Sequence, residues 1–189
     1  MKKLLILDNY DSFTYNLVHL VEKVSDISFH VSRNDRITLE EVGSFDRIIL
    51  SPGPGLPSQA GIMPALLKQY SSSRSILGIC LGMQAIGECF DSNLKNLETV
   101  CHGMATPIHT MGNDTIFQNC PATFNVGRYH SWVINPLELS PDLEITAVDD
   151  NNNIMAIKHK RFDVKGLQFH PESILSEYGE IIMSNWLKD

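Results

Sequence analysis

The sequence predicts an α/β fold in which helices cover a mostly parallel mixed sheet. In the first half of the chain, short apolar runs alternate with amphipathic segments, a pattern typical of strand-helix-strand units. The runs at residues 47–50 and 75–79 are almost wholly apolar, as expected of strands buried on both faces of a sheet. Beyond about residue 95 the runs are short and turn signals separate them, which predicts a smaller antiparallel region in the second half.

The first half of the chain is predicted to alternate strands and helices. Ser12 is predicted to cap a helix over 13–24, where apolar residues recur at helical spacing. Thr38 and Glu41 form a capping-box pattern, which begins a short helix. The other elements predicted here are strands at 3–7, 27–31, 47–50 and 75–79 and helices at 63–70 and 83–90.

The second half is predicted to consist of short strands and a closing helix. The strands cover 106–109, 122–126, 144–148, 154–158 and 164–167, and the helix covers 177–187. No linker, internal repeat or low-complexity segment interrupts the chain. With 189 residues, the chain has the usual length of one domain, and residues 1–189 are predicted to form one.

The composition is that of a globular protein, with 43% hydrophobic and 20% charged residues. A formal net charge of −7 disfavours nucleic acid and anionic membranes as partners. Asp8 makes the first apolar run too short for a signal peptide, and no run reaches the about 20 apolar residues of a membrane-spanning helix. The cysteines form no Cys-x-x-Cys pair or metal-binding spacing, which favours a cytoplasmic protein. Three of them are expected to fill apolar space: Cys89, Cys101 and Cys120.

The fourth cysteine, Cys80, lies in a motif typical of a catalytic nucleophile. The string Gly-Ile-Cys-Leu-Gly at 78–82 follows a predicted strand and precedes a predicted helix, as in a nucleophile elbow. The glycines permit a strained turn that raises the sulfur above the sheet, and the helix N-terminus favours the thiolate. On this motif alone, close packing of a small residue at a strand end remains an alternative.

Two further motifs supply the groups that such a cysteine needs. His170 can exchange a proton with the sulfur and the leaving group, and Glu172 can orient the imidazole. The string Ser-Pro-Gly-Pro-Gly at 51–55 follows a buried strand, and its glycines can present bare N–H groups to an oxyanion. Gly53 and Leu81 are predicted to be the two backbone donors. Taken singly, a solvated His–Glu pair and a plain Pro/Gly turn would also explain these strings.

In this order, the three motifs resemble the class I (triad) glutamine amidotransferase family over essentially the whole chain. Strings at 8–14, 128–131 and 170–175 look like the branch that supplies ammonia to chorismate-using synthases, the small subunits of anthranilate and aminodeoxychorismate synthase. The resemblance implies a flavodoxin-like three-layer α/β/α sandwich. It assigns the nucleophile, base and acid of a triad to Cys80, His170 and Glu172.

The resemblance also implies a substrate and a partner. L-Glutamine would be hydrolysed to glutamate and ammonia through a γ-glutamyl thioester on Cys80, with no metal or organic cofactor. A chorismate-using synthase subunit would receive the ammonia. The residues that would bind glutamine, largely through their backbone, are Gly53, Pro54, Gly55, Gln84, Ser131 and Trp132.

Several alternatives stay open at this point. Met83 stands where many relatives carry histidine, and it is expected to pack in the core. The carboxylates of loop 8–14 could bind a metal, although the resemblance assigns this loop to the subunit contact. The alternative functions are a stand-alone cysteine γ-glutamyl hydrolase and a catalytically silent regulatory subunit. The sequence does not decide between the anthranilate and aminodeoxychorismate pathways.

Overall fold

The structure is a computed structural model that describes residues 2–188, and in it a single mixed sheet carries helices on both faces. The strands are β1 (Lys3–Asp8), β2 (Ser28–Arg33), β3 (Arg47–Leu50), β4 (Ser75–Ile79), β5 (Leu94–Thr110), β6 (Thr123–Ile134), β7 (Leu143–Asp149), β8 (Ile154–His159) and β9 (Val164–Leu167). The helices are α1 (Thr14–Val24), α2 (Leu39–Val42), α3 (Met63–Tyr70), α4 (Leu81–Cys89) and α5 (Gly179–Lys188).

The strand order is β2-β1-β3-β4-β9-β8-β7-β5-β6. The first five strands of this order pair in parallel, and the pairs from β9 to β6 are antiparallel. Strand β9 therefore joins the two parts of the sheet, and the predicted α/β fold with a mixed sheet is confirmed. The carboxyl ends of β1, β3, β4 and β9 meet at one edge, where open α/β sheets bind ligands.

Two apolar cores lie on opposite faces of the sheet and define the three layers. Leu4 and Ile6 of β1 point into the core beneath α1 and α5, whereas Leu5 and Leu7 point into the core beneath α2, α3 and α4. This alternation explains why the first strands are apolar at nearly every position. No helix among residues 2–188 is both long and apolar enough to cross a membrane.

Two strands of the second half are much longer than predicted. Strand β5 was expected only at 106–109, but it runs from residue 94, with register shifts on either side of Cys101 and His102. Only one of its residues, Ile108, is buried, so no apolar alternation marks it in the sequence. Strand β6 continues beyond residue 126 to Ile134, and the apolar pattern did not reveal this because polar side chains, including Arg128 and His130, are buried there.

The start of α1 also differs from the prediction. Ser12 does not cap this helix, which begins at Thr14 with Phe13 in the cap position and no side-chain cap. The carboxylate of Asp11 accepts a hydrogen bond from the Phe13 N–H (2.8 Å), and Asp8 accepts one from the Thr14 hydroxyl (2.8 Å). The carboxylates of Asp8 and Asp11 thus accept the hydrogen bonds at the N-terminal end of α1. The predicted capping box of α2, formed by Thr38 and Glu41, is confirmed.

Arg47 is a buried cation that joins β3 to the C-terminal helix. Its Nη1 donates to the carbonyl oxygen of Trp186 at 2.6 Å, and its guanidinium lies 5.3 Å from the centre of the Trp186 ring. We expect Arg47→Ala to lower the free energy of unfolding by about 3 kcal/mol, because it leaves a cavity and an unpaired carbonyl. Chemical denaturation measures this. Arg36→Ala, at an exposed arginine, should change stability by less than about 0.5 kcal/mol; equal effects would contradict the prediction.

Candidate active site

Cys80 lies on a strained turn between β4 and α4. Its backbone has φ 52° and ψ −102°, in a region that non-glycine residues rarely adopt and that costs roughly 1–3 kcal/mol. The Cys80 N–H donates to the Leu167 carbonyl of β9 at 2.7 Å, so the turn is tied to the neighbouring strand. The predicted elbow geometry is confirmed, with the sulfur at the edge of the sheet and at the start of a helix.

The glycines of this turn are required by close packing. A Cβ on Gly82 would lie 2.5 Å from the carbonyl oxygen and 2.8 Å from the Cβ of Leu50 on β3. A Cβ on Gly78 would collide with the backbone of Gly82. The first turn of α4 can therefore approach β3 and β4 only because both positions lack a side chain.

We expect Gly82→Ala to shift α4 away from β3, which costs about 1–3 kcal/mol of stability. The same shift moves Cys80 and should lower the rate of the reaction that its sulfur carries out about a hundredfold. Steady-state kinetics and thermal unfolding measure the two effects. Gly112→Ala is a control in a turn away from the site: its φ of 65° predicts about 1 kcal/mol of strain and unchanged kinetics. Unchanged activity of Gly82→Ala would contradict the argument.

His170 and Glu172 form a buried pair just past the end of β9. Nδ1 of His170 lies 2.7 Å from Oε1 of Glu172, with side chains 3% and 0% exposed. The backbone N–H of His170 donates to the Gly127 carbonyl of β6 at 3.0 Å, which fixes the loop against that strand. The rings of Tyr129 and Phe13 both stand edge-on to the imidazole, with centroid distances of 4.9 and 6.2 Å. The position and orientation of the imidazole are therefore fixed on several sides.

The protonation of His170 depends on both of its neighbours. Burial alone would lower its pKa, but hydrogen bonding to Cys80 and Glu172, and the charges of both groups, raise the pKa to about 10. Nε2 has no aligned hydrogen bond within residues 2–188, although Cys80 is near enough to affect the pKa. The imidazole therefore tends to hold its proton beside the sulfur, where the positive charge stabilises a thiolate.

The loop after β3 lies beside the elbow, as its strand pairing requires. A Cβ on Gly53 would lie 2.5 Å from the Asn9 carbonyl and 3.0 Å from Leu81, so only glycine fits. Asn9, which the sequence analysis did not select, donates from Nδ2 to the Ser51 carbonyl (2.8 Å) and holds this loop against loop 8–14. Leu81 is the first residue of α4, where N–H groups have no intrahelical acceptor.

A cavity of about 180 Å³ opens at Cys80. Its lining includes most residues predicted to act in the site: Cys80, Gly53, Gly55, Leu81, Gln84, Ser131 and Trp132. Pro54 is exposed and does not line the cavity, whereas Cys101 lines it instead of joining an apolar core. Cys89 and Cys120 do pack against the cores, and Met83 is fully buried, as predicted.

Two glutamine side chains connect Cys80 to the cavity wall. Gln168, which the sequence analysis missed, is fully buried and directs Nε2 to the Cys80 sulfur at 3.6 Å. Nε2 of Gln84 lies 2.9 Å from the Trp132 carbonyl and 3.3 Å from Oε1 of Gln168. Gln168 could have been selected from its sequence only if β9 had been known to pair with β4, which places it beside Cys80.

The chain is similar to known proteins along nearly its whole length. A family model described as glutamine amidotransferase class-I matches residues 5–189. Anthranilate synthase component 2 of Lactococcus lactis subsp. lactis is 43% identical over 97% of this chain and 93% of the relative. Aminodeoxychorismate synthase component 2 of Escherichia coli K12 is 39% identical over 97% of this chain and 98% of the relative. A crystal structure of a protein from Thermoplasma acidophilum, provisionally described as a GMP synthase subunit, superposes with a TM-score of 0.88. The match covers 100% of this chain and 93% of that one, and at 24% identity it shows the shared fold.

Proposed function

The chain belongs to the class-I glutamine amidotransferase family, and we propose that it is the glutaminase subunit of a chorismate-using synthase, formed by residues 1–189 as one domain. The observation that carries this proposal is the strained Cys80 at a small cavity, beside the buried pair of His170 and Glu172. The cavity volume of about 180 Å³ suits a small substrate such as an amino acid.

The reaction begins with attack of the Cys80 thiolate on the carboxamide carbon of glutamine. The carbonyl oxygen becomes an oxyanion, which the N–H groups of Gly53 and Leu81 stabilise. The C–N bond then breaks as His170 transfers its proton to the amide nitrogen. Ammonia leaves, and the γ-glutamyl group remains on the sulfur as a thioester.

The second half of the reaction requires His170 to act as a base. Once the sulfur is part of a neutral thioester, it no longer contributes the charge that helps to raise the pKa of His170. The neutral imidazole can then take a proton from water, whose oxygen attacks the thioester. Glutamate leaves, and the proton on His170 and the Cys80 thiolate are regenerated. Glu172 holds Nδ1 throughout and stabilises each imidazolium state.

The need for a partner follows from the fate of ammonia. Ammonia that escapes into water at neutral pH becomes ammonium, which is not a nucleophile, so it must pass directly to an acceptor site. Several large apolar side chains are exposed on segments that carry or adjoin the site: Tyr10, Tyr15, Val100, Met104 and Ile174. Their exposure around the Cys80 edge of the sheet supports docking of the synthase subunit there.

The deciding experiment mixes the chain with candidate anthranilate and aminodeoxychorismate synthase subunits, glutamine and chorismate, and identifies the aromatic amine. We expect glutamine-dependent amine formation with at least one of them. Glutamine hydrolysis should rise at least about tenfold over that of the isolated chain. The relatives carry the names of both pathways, so either or both amines fit the proposal. No amine with either subunit, or glutamine hydrolysis at full rate without a partner, would overturn it.

A further inference from the structure

A buried polar network lies behind the cavity wall formed by Ser131 and Trp132. Its members are Asp149 at the end of β7 and Arg128 and His130 on β6. Nη1 of Arg128 donates to Oδ2 of Asp149 at 2.8 Å, and the two side chains are 6% and 3% exposed. The other carboxylate oxygen accepts the N–H groups of Asn151 and Asn153, so the β7–β8 turn anchors the pair.

Arg128 determines the tautomer of His130. Its Nε donates to Nε2 of His130 at 3.1 Å, and a guanidinium has no acceptor, so Nε2 must present its lone pair. The proton of the neutral ring is then on Nδ1, which lies 3.1 Å from the Trp132 carbonyl and donates to it. Burial, followed by the charge of Arg128, lowers the pKa of His130 to about 3, so the ring stays neutral at physiological pH.

The Trp132 carbonyl receives a second donor from the other side. Nε2 of Gln84, on α4, approaches it at 2.9 Å. Two side chains from separate elements therefore fix one carbonyl of the cavity wall. Trp132 also pairs with Asn96 of β5, but the register of the ladder shifts between this pair and the pair of Cys101 with His130, so the ladder is irregular opposite Ser131.

We propose that His130, oriented by Arg128, is a positioning residue that holds the backbone of Ser131 and Trp132 in the geometry that binds glutamine. The inference rests on the proposed function, because glutamine is the ligand concerned. A network that served only to stabilise the fold would not need to end on a carbonyl of the cavity wall.

The test compares two variants that each keep one of the two hydrogen bonds of the His130 ring. In His130→Asn, the amide nitrogen can replace Nδ1 and still donate to the Trp132 carbonyl. In His130→Gln, the amide lies farther out and can replace Nε2 as the partner of Arg128, but the bond to Trp132 is lost. Each is measured in complex with the synthase subunit that activates the chain, by kcat and KM for glutamine hydrolysis and by Tm. His109→Gln, at a half-exposed histidine on β5, is the matched control.

We expect His130→Gln to raise KM for glutamine at least about tenfold with kcat within about threefold of the parent, as for loss of one hydrogen bond that holds the ligand site. His130→Asn should keep KM within about threefold, and His109→Gln should match the parent. The inference is refuted if KM is unchanged in His130→Gln, or if both His130 variants alter KM equally or change only kcat or Tm. If the parent complex itself does not hydrolyse glutamine, the proposed function fails, and this inference with it.

Discussion

Cys80→Ser should abolish glutamine-dependent ammonia release, with a loss of at least about 10³-fold in kcat. A serine hydroxyl beside a protonated imidazole does not ionise as a thiol does, so the attacking anion is missing. The substitution is nearly isosteric, so the turn at φ 52° and its hydrogen bond to Leu167 should persist. We therefore expect the fold and the docking of the synthase subunit to be intact.

The measurement separates release of ammonia from glutamine by this chain from use of ammonia by the synthase subunit. In the complex, amine formation from chorismate and glutamine should be lost, whereas formation from chorismate and added ammonia at alkaline pH should continue. Cys120→Ser is the control, because Cys120 does not line the cavity and only packs against the edge of an apolar core. Glutamine-dependent synthesis by Cys80→Ser at the parent rate would refute the mechanism.

Glu172→Gln should lower kcat for glutamine hydrolysis by about 10²- to 10⁴-fold. The amide can still contact Nδ1 of His170, now 2.7 Å from the carboxylate, but it carries no charge to stabilise the imidazolium. It can also bind the wrong tautomer. Glu180→Gln, at an exposed residue paired with Lys23, should leave the kinetics unchanged. Parent-like activity in Glu172→Gln would remove the carboxylate from the mechanism.

The same variant should change the pH dependence in a defined direction. The charges and hydrogen bonds of Cys80 and Glu172 raise the pKa of His170 above that of an unfolded histidine, 6.5, to about 10. The stability that they contribute is therefore complete below about pH 6.5 and lost as pH rises towards 10. In Glu172→Gln the pKa should fall, so the alkaline limb of the pH–rate profile should move down by about one pH unit or more. Asp11, whose carboxyl pKa is raised mainly by burial, also interacts with the charges of His170 and Glu172. It should therefore be left unchanged in the variant.

The geometry of the site follows from the order of the parallel strands. Strands β1, β3, β4 and β9 are neighbours, so loop 8–14, the Ser51–Gly55 turn, the Cys80 elbow and the His170 loop all lie at one edge. Each of these segments follows a strand that is buried on both faces. The apolar cores thus place polar groups that are distant in sequence within one small site.

Elements with a clear apolar pattern were predicted best. Helix α3 has the predicted bounds because its buried residues recur at helical spacing. Strands β3, β4 and β9 have the predicted bounds because each is a short run that is buried at nearly every position. Helix α4 begins two residues earlier than predicted, since the elbow itself starts it. Helix α5 begins two residues later, because Glu177 binds the Asn125 backbone instead of joining the helix.

The sequence by itself determined the α/β class, the elbow at Cys80 and the chemical partners His170 and Glu172, because each depends on local residue order or apolar periodicity. Only the tertiary structure decided that β9 pairs with β4, which places Gln168 beside the sulfur. It alone decided that Gly127 of β6 bridges to His170. It also decided that Cys101 lines the cavity and that His130 bonds to the Trp132 carbonyl. The physical reason is that strand neighbours, buried polar partners and shifted pKa values arise from contacts between distant segments, and such contacts leave no periodic pattern in the local sequence.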